Sequence, residues 1–150
     1  MCPAPDPDFQ LTVPFVAGVV LVILSTFILL HCYRVLGRHF TYHLTIRDKH
    51  ELITTQLYSY VRHPSYSGTL ILIAGIPLSH VTSGSWLVEC GFLNPHGISV
   101  MIVWAAWWLW GAVVCVRRAR AEDARLRKEF GKKWDNYAEK VPRRFIPGLL

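Results

Sequence analysis

Charge is absent from three long stretches of this 150-residue sequence. No Asp, Glu, Lys or Arg occurs in Leu11–Leu30, Gly68–Val88 or Ile98–Val116. A hydrocarbon core about 30 Å thick needs roughly 20 apolar helical residues to cross it, so each stretch is long enough to span a membrane. A soluble protein of this length could not bury three such helices. The sequence therefore predicts an integral membrane protein.

Several motifs of soluble enzymes are also missing. The sequence contains no Gly-x-Gly-x-x-Gly, no Gly-x-Ser-x-Gly and no His-Glu-x-x-His, which argues against a Rossmann nucleotide site, an α/β-hydrolase and a zinc peptidase. The four cysteines are far apart and form no Cys-x-x-Cys pair: Cys2, Cys32, Cys90 and Cys115. We therefore predict neither a metal site nor a disulfide framework.

Basic residues are confined to two segments. Five of the 16 Lys and Arg residues lie between residues 31 and 67, and eleven lie between Arg117 and the C-terminus. Cytoplasmic flanks collect Lys and Arg, so we predict an N-terminus outside and residues 31–67 and 117–150 in the cytoplasm. The first stretch lacks a preceding base, which argues against a signal peptide. The net charge of +6 then reports topology and contact with the lipid bilayer, not nucleic acid.

The predicted fold is all-α and forms one domain over residues 1–150. It has about three transmembrane helices and a cytoplasmic C-terminal helix. Pro77 and the polar residues 79–85 leave room for a broken or re-entrant second span, or for a fourth one of that kind. Residues 1–10, with three prolines, are expected to form a mobile tail.

The third apolar stretch runs without a break signal into Arg117–Tyr137, which we predict to be one continuing helix. Four apolar residues follow one another at helical spacing there: Leu126, Phe130, Trp134 and Tyr137. Steps of three and four towards the membrane lead from this stripe to Ala119, Glu122 and Asp123. Two acidic residues are thus predicted on the face that packs inward.

His63 precedes the second apolar stretch. Pro64 suits the first turn of a helix, because that position needs no backbone N–H. His63 would then stand near the N-cap, beside unpaired backbone donors and the positive end of the helix dipole, where a carboxylate or phosphate can bind. A histidine there is more often only a cap or an interfacial residue, but Tyr66 brings a second hydrogen-bonding side chain to the same end.

Arg118 and Glu122 are four residues apart and so share one helix face. The simplest interpretation is a surface ion pair worth a few tenths of a kcal/mol. Their position within about one helical turn of the membrane boundary favours a functional interpretation, since charges held there are paired or used.

These residues, taken in order, resemble a known family. The sequence contains Leu52-Ile53-Thr54, Tyr58, Arg62-His63-Pro64-Ser65-Tyr66-Ser67-Gly68, Glu122-Asp123-x-x-Leu126, Phe130-Gly131, Tyr137, and Val141-Pro142 with Ile146-Pro147. Over roughly residues 37–150 this pattern resembles the isoprenylcysteine carboxyl methyltransferases. The wider superfamily also contains phospholipid methyltransferases and some membrane reductases.

The resemblance implies a protein-S-isoprenylcysteine carboxyl O-methyltransferase of the endoplasmic reticulum membrane. Its cofactor would be S-adenosylmethionine, and its substrate a prenylated protein or prenylcysteine. The resemblance assigns Glu122 to cofactor binding and Arg118 to substrate binding, and both to the catalytic site. The remaining cofactor-binding residues that it implies are His50, Glu51, Leu52, Ile53, Tyr58, His63, Pro64, Ser65 and Tyr66.

The sequence departs from the family pattern in three ways. Gln56 stands where the family commonly has glycine, and Asp123 replaces the second glutamate of an acidic pair. The chain also has one N-terminal span where animal members have several, and a longer region between the second and third spans. The alternatives are a phospholipid amine methyltransferase, a non-catalytic membrane homologue, and a reductase relative that binds a nicotinamide dinucleotide.

Overall fold

The computed structural model describes residues 11–37, 52–83, 85, 87, 88 and 95–146. These residues form four α-helices and one 3-10 helix, and no strand occurs among them. The α-helices are α1 (Val13–Leu36), α2 (Pro64–His80), α3 (Pro95–Phe130) and α4 (Lys132–Lys140), and the 3-10 helix is Gln56–Ser59. The predicted tail, residues 1–10, lies outside the described residues, as do His50 and Glu51. The all-helical prediction is confirmed for the described part of the chain.

Two of the helices are long and apolar enough to cross a membrane: α1, and residues Gly97–Phe130 of α3. The helix α2 begins where the sequence predicts, with His63 at the N-cap and Pro64 in the first turn. It has 17 residues, which is about 26 Å of helix. It does not break at Pro77 but continues to His80, so the predicted interruption at that proline is not observed.

The helices α1 and α2 pack closely at two glycines. A Cβ atom added to Gly18 would lie 2.5 Å from the backbone nitrogen of Ser79, and one added to Gly75 would lie 3.0 Å from the carbonyl oxygen of Gly18. Small residues that let two backbones approach are the usual means of helix association in lipid, where apolar surface alone provides no driving force. This contact anchors α2, and with it the residues at its start.

The helices α2 and α3 run antiparallel and touch along their length. His80 lies 6.4 Å from Trp104, ring centroid to ring centroid. Further along, a Cβ added to Gly111 would lie 3.5 Å from Ile73. The N-terminal end of α2 therefore meets the polar C-terminal third of α3.

The helix α3 ends at Phe130, so the prediction of one helix over Arg117–Tyr137 is wrong at one residue. Gly131 has a φ of +52°, which favours glycine and does not continue a helix. The chain then turns into α4. The predicted inward face is confirmed at Ala119, Asp123, Trp134 and Tyr137, which are buried. It is confirmed only in part at Glu122, Leu126 and Phe130, which are half-buried.

The backbone conformation of Gln56 explains why the family pattern commonly has glycine at this position. Its φ is +58°, and a left-handed residue with a side chain costs about 1–2 kcal/mol, whereas glycine loses roughly 0.5–1 kcal/mol more chain entropy on folding. We expect Gln56→Gly to stabilise the protein by up to about 1 kcal/mol and to raise Tm by roughly 2–4 °C, measured by thermal unfolding in detergent. The control is Thr55→Gly, at an exposed residue with φ of −102°, which should lower Tm. An equal rise in both variants would contradict the strain at Gln56.

Candidate functional site

The start of α2 is held by the C-terminal segment of the chain. The backbone N–H groups of Arg62 and His63 donate to the carbonyl oxygens of Arg143 and Arg144, at 3.0 and 2.9 Å. Residues 143–145 thus lie directly against the start of α2. His63 is only 3% exposed, and its position is fixed through its own backbone.

Asp123 connects three segments of the chain. Its Oδ1 atom lies 2.8 Å from Nε2 of His63, and its Oδ2 atom accepts a hydrogen bond from Nε of Arg144 at 3.0 Å. Arg62 places its Nη2 atom 3.5 Å from the same Oδ2. The residue is 6% exposed, and a carboxylate at that depth is tolerated only when it is paired and hydrogen-bonded. The two guanidinium groups provide this compensation.

Glu122 lies on the open side of the same histidine. Its Oε2 atom is 3.8 Å from Nδ1 of His63, and its side chain is 36% exposed. The Tyr66 ring stands edge-on to the His63 ring, with centroids 5.6 Å apart, and its phenol is close enough to Glu122 and to Arg118 to interact with their charges. An accessible carboxylate, a guanidinium, an imidazole and a phenol therefore share one small region.

Aromatic residues of α4 support this region from behind. The Tyr137 hydroxyl donates to the carbonyl oxygen of Tyr58 at 2.7 Å, and the Arg62 guanidinium lies 5.5 Å from the Trp134 ring centroid. Burial raises the pKa of Tyr137 to about 12, so this phenol stays neutral and keeps its proton for donation. Burial raises the pKa of Tyr58 as well.

The structure brings together His63, Tyr66, Arg118 and Glu122, four of the residues predicted from the sequence. Pro64 and Ser65 lie in the first turn of α2, between His63 and Tyr66, and Tyr58 in the 3-10 helix is buried. Leu52 and Ile53 are half-buried ahead of the 3-10 helix. His50 and Glu51, the other two predicted residues, are outside the described part of the chain.

Sequence reasoning missed two residues of this region, Arg62 and Arg144, and it did not find the role of Asp123. Arg62 precedes the predicted histidine, so it could have been suspected from position. Nothing in the spacing of Arg144 links it to Asp123, because the link depends on how the C-terminal segment folds back. No group of three or more His, Cys, Asp or Glu side chains that could hold a metal ion occurs in the ranges that the structure describes.

An apolar cleft of about 520 Å³ lies beside the start of α2. Its volume is in the range of small-molecule sites. It is lined by Leu21, Ile28, Leu57, Tyr60, Val61, Pro64, Ser67, Leu70, Ile71, Ala74, Phe145 and Ile146. The Ser67 hydroxyl lies 2.5 Å from the carbonyl oxygen of Phe145 and 3.1 Å from that of His63. Because Ser67 lines the cleft and is also hydrogen-bonded to His63, the cleft and the polar site are adjacent.

Known proteins similar to this chain include two plant methyltransferases. One is protein-S-isoprenylcysteine O-methyltransferase B of Arabidopsis thaliana, 31% identical over 108 residues, which cover 71% of this chain and 46% of the relative. The other is a probable protein-S-isoprenylcysteine O-methyltransferase of Oryza sativa subsp. indica, 30% identical over 126 residues, 83% of this chain and 56% of the relative. The chain thus spans about half the length of these relatives.

A third relative has a different activity in its name. The probable 7-dehydrocholesterol reductase of Acanthamoeba polyphaga mimivirus is 29% identical over 101 residues, which are 66% of this chain and 18% of the relative. No solved structure matches the chain significantly.

The resemblance to isoprenylcysteine methyltransferases that the motifs indicate is confirmed by the two plant relatives. A family model described as phospholipid methyltransferase matches residues 13–133. This match includes α1, α2 and α3 and, of the polar site, Arg62, His63, Tyr66, Arg118, Glu122 and Asp123. The chain therefore belongs to the phospholipid methyltransferase family.

Proposed function

We propose that this chain is a membrane methyltransferase that uses S-adenosylmethionine to methylate the carboxylate of a C-terminal isoprenylcysteine. The observation that carries the proposal is the meeting of the start of α2 with the polar part of α3, where Nδ1 of His63 lies 3.8 Å from Oε2 of Glu122. The names of the plant relatives support the same reaction.

The residues present fit such a cofactor. S-adenosylmethionine carries a cationic amino group, a cationic sulfonium and an anionic carboxylate. Glu122 offers a partly exposed carboxylate for a cationic part, and the first turn of α2, from His63 to Tyr66, offers backbone donors and a phenol for the anionic end. When bound, the cofactor supplies an electrophilic methyl group.

The protein's own task is alignment and exclusion of water. A carboxylate acceptor is already ionised at neutral pH, so the site needs no general base. Arg118 holds the acceptor carboxylate through charge-assisted hydrogen bonds. Glu122, one helical turn away, fixes the cofactor on the same helix face. Bringing the two reacting groups to near-attack distance is the main catalytic contribution available to this arrangement.

The apolar cleft supports a lipid-modified acceptor. It lies along α1 and α2, and its residues Leu21, Ile28 and Ile71 belong to apolar helices. A prenyl chain placed there would lie partly in lipid and would leave its cysteine end near the start of α2.

Membrane placement is part of the proposal. We propose three spans, α1, α2 and the apolar part of α3, with the N-terminus lumenal and the polar site on the cytoplasmic face of the endoplasmic reticulum. At about 26 Å, α2 is slightly shorter than a hydrocarbon core, and local thinning of the bilayer can accommodate the difference.

The decisive experiment is transfer of labelled methyl groups from S-adenosylmethionine to N-acetyl-farnesylcysteine by the protein in nanodiscs. Phosphatidylethanolamine tests the second candidate, a phospholipid amine methyltransferase, which the family match favours. An ammonium acceptor would have to lose a proton and would be repelled by Arg118, so we expect methylation of the farnesylcysteine. Methylation of the phospholipid alone would refute the proposal.

The two remaining alternatives, a non-catalytic homologue and a reductase, are tested by other measurements. A non-catalytic homologue would transfer no methyl group to either acceptor, and calorimetry with S-adenosylmethionine would show whether it binds the cofactor at all. A reductase, which the viral relative suggests, would oxidise a reduced nicotinamide dinucleotide in the presence of a sterol.

Filling the apolar cleft should weaken binding of the prenylated acceptor alone. Ala74 lines the cleft, and we expect Ala74→Phe to raise the KM for farnesylcysteine about 10-fold or more, the effect of about 1.4 kcal/mol of lost binding. Cofactor affinity should stay unchanged. The control is Ala106→Phe, the same enlargement at an exposed position on α3 outside the cleft. Equal KM values in both variants would place the prenyl chain elsewhere.

A further inference from the structure

Asp123 and Glu122 are adjacent in sequence but face different surroundings. Glu122 is partly exposed on the open side of His63. Asp123 is buried, and its partners are three residues of the protein itself: Arg62, His63 and Arg144. Consecutive residues of a helix point about 100° apart, so the two carboxylates cannot serve the same ligand equally. The buried one is used internally.

The partners of Asp123 determine which nitrogen of His63 carries a proton. Two guanidinium groups lie 3.0 and 3.5 Å from Oδ2 and keep the carboxylate ionised, and an ionised carboxylate can only accept hydrogen bonds. The 2.8 Å contact of Oδ1 with Nε2 of His63 therefore requires a proton on Nε2. In the neutral ring, Nδ1 is then the hydrogen-bond acceptor.

The acceptor nitrogen points towards the open side of the site. Nδ1 lies 3.8 Å from Oε2 of Glu122, too far for a direct hydrogen bond. The ring cannot easily turn away, because Tyr66 and Phe145 stand 5.6 and 6.2 Å from it, centroid to centroid. When the ring is neutral, two acceptor atoms therefore lie side by side and can bind a donor that carries positive charge.

We propose that Asp123 is a positioning residue: it fixes His63 in the tautomer with a proton on Nε2, so that Nδ1 and the Glu122 carboxylate together accept the ammonium group of the cofactor. Arg62 and Arg144 keep Asp123 ionised, which makes the C-terminal segment a part of the site. The role of Asp123 in cofactor binding rests on the proposed function, whereas the tautomer of His63 does not.

The tautomer can be measured directly. In the full-length protein, labelled with 15N-histidine and reconstituted in nanodiscs, long-range 15N–1H spectra distinguish the two ring nitrogens, and His63→Gln assigns the signal. We expect the neutral ring to carry its proton on Nε2 in the wild type. In Asp123→Asn the amide can donate to Nε2, so the neutral ring should shift towards a proton on Nδ1. A wild-type ring with its proton on Nδ1 would overturn the proposal without reference to any variant.

Cofactor affinity separates positioning from a merely structural role. We expect Asp123→Asn to bind S-adenosylmethionine about 10- to 100-fold more weakly by calorimetry, by analogy with the loss found when a group that orients a metal-binding histidine is removed. Asp123→Glu keeps an ionised acceptor and should retain more affinity than Asp123→Asn. The matched control is Asp135→Asn, which removes the charge from an exposed pair with Arg127 at 2.9 Å and should leave affinity unchanged. If folded Asp123→Asn binds the cofactor with wild-type affinity, Asp123 has only a structural role.

The two proposals can fail separately. If the tautomer and affinity change as expected but farnesylcysteine receives no methyl group, the acceptor proposed above is wrong while the role of Asp123 stands. If farnesylcysteine is methylated and Asp123→Asn changes neither the tautomer nor the affinity, the function stands and the positioning role is wrong.

Discussion

Replacing Glu122 by alanine is expected to weaken binding of S-adenosylmethionine strongly and to lower the rate of methyl transfer with it. Glu122 provides the accessible carboxylate of the site, 3.8 Å from His63. Removing one partner of a buried charge pair costs about 2–5 kcal/mol, and Glu122 belongs at the lower end because it is partly exposed. A loss of 2–3 kcal/mol corresponds to a decrease in kcat/KM of roughly 30- to 150-fold.

Calorimetry and initial rates with farnesylcysteine provide the measurement for Glu122. The matched control is Glu129→Ala, which removes an exposed acid two turns further along α3 and should bind the cofactor normally. Glu122→Gln keeps the size and the hydrogen-bonding capacity but not the charge, so it should lie between the wild type and the alanine variant. Near-normal turnover in Glu122→Ala would refute the assignment of this residue.

Replacing Arg118 by alanine is expected to stop methyl transfer while leaving cofactor binding intact. In the proposed reaction this guanidinium holds the acceptor carboxylate, and a misaligned nucleophile loses rate steeply because the reacting atoms must lie about 3–3.5 Å apart. We expect kcat/KM for farnesylcysteine to fall about 100-fold or more. Arg118→Lys keeps the charge but loses the planar fork of donors, so it should recover only part of this loss.

The control for Arg118 is Arg120→Ala, an exposed arginine on the same helix. It removes the same charge from the C-terminal part of α3 and should retain wild-type activity. The pair of measurements distinguishes the roles of the two site residues. If Arg118→Ala also lost cofactor affinity, the division of labour between Arg118 and Glu122 would be incorrect.

The sequence predicted some features of the site because they depend on local chemistry. Pro64 set the start of α2 and placed His63 at its N-cap, as the structure has it. The helical spacing of Trp134 and Tyr137 predicted that Asp123 faces inward, and it is buried. The prediction of a continuous helix over Arg117–Tyr137 was wrong because Gly131 has a positive φ, which ends α3. The sequence alone does not show whether a single glycine has a positive φ.

The sequence by itself determined the class of protein, because the uncharged stretches of membrane length are a property of local composition. It also determined the positions of Pro64, Arg118 and Glu122 along their helices, because these follow from local spacing. Only the tertiary structure decided which groups meet. The contact of Asp123 with Arg144 joins residues 21 positions apart, and that with His63 joins residues 60 apart. No local rule encodes such pairs: they arise because α2 packs antiparallel to α3 and the C-terminal segment folds back onto both, and a buried carboxylate is stable only where those elements bring cations to it.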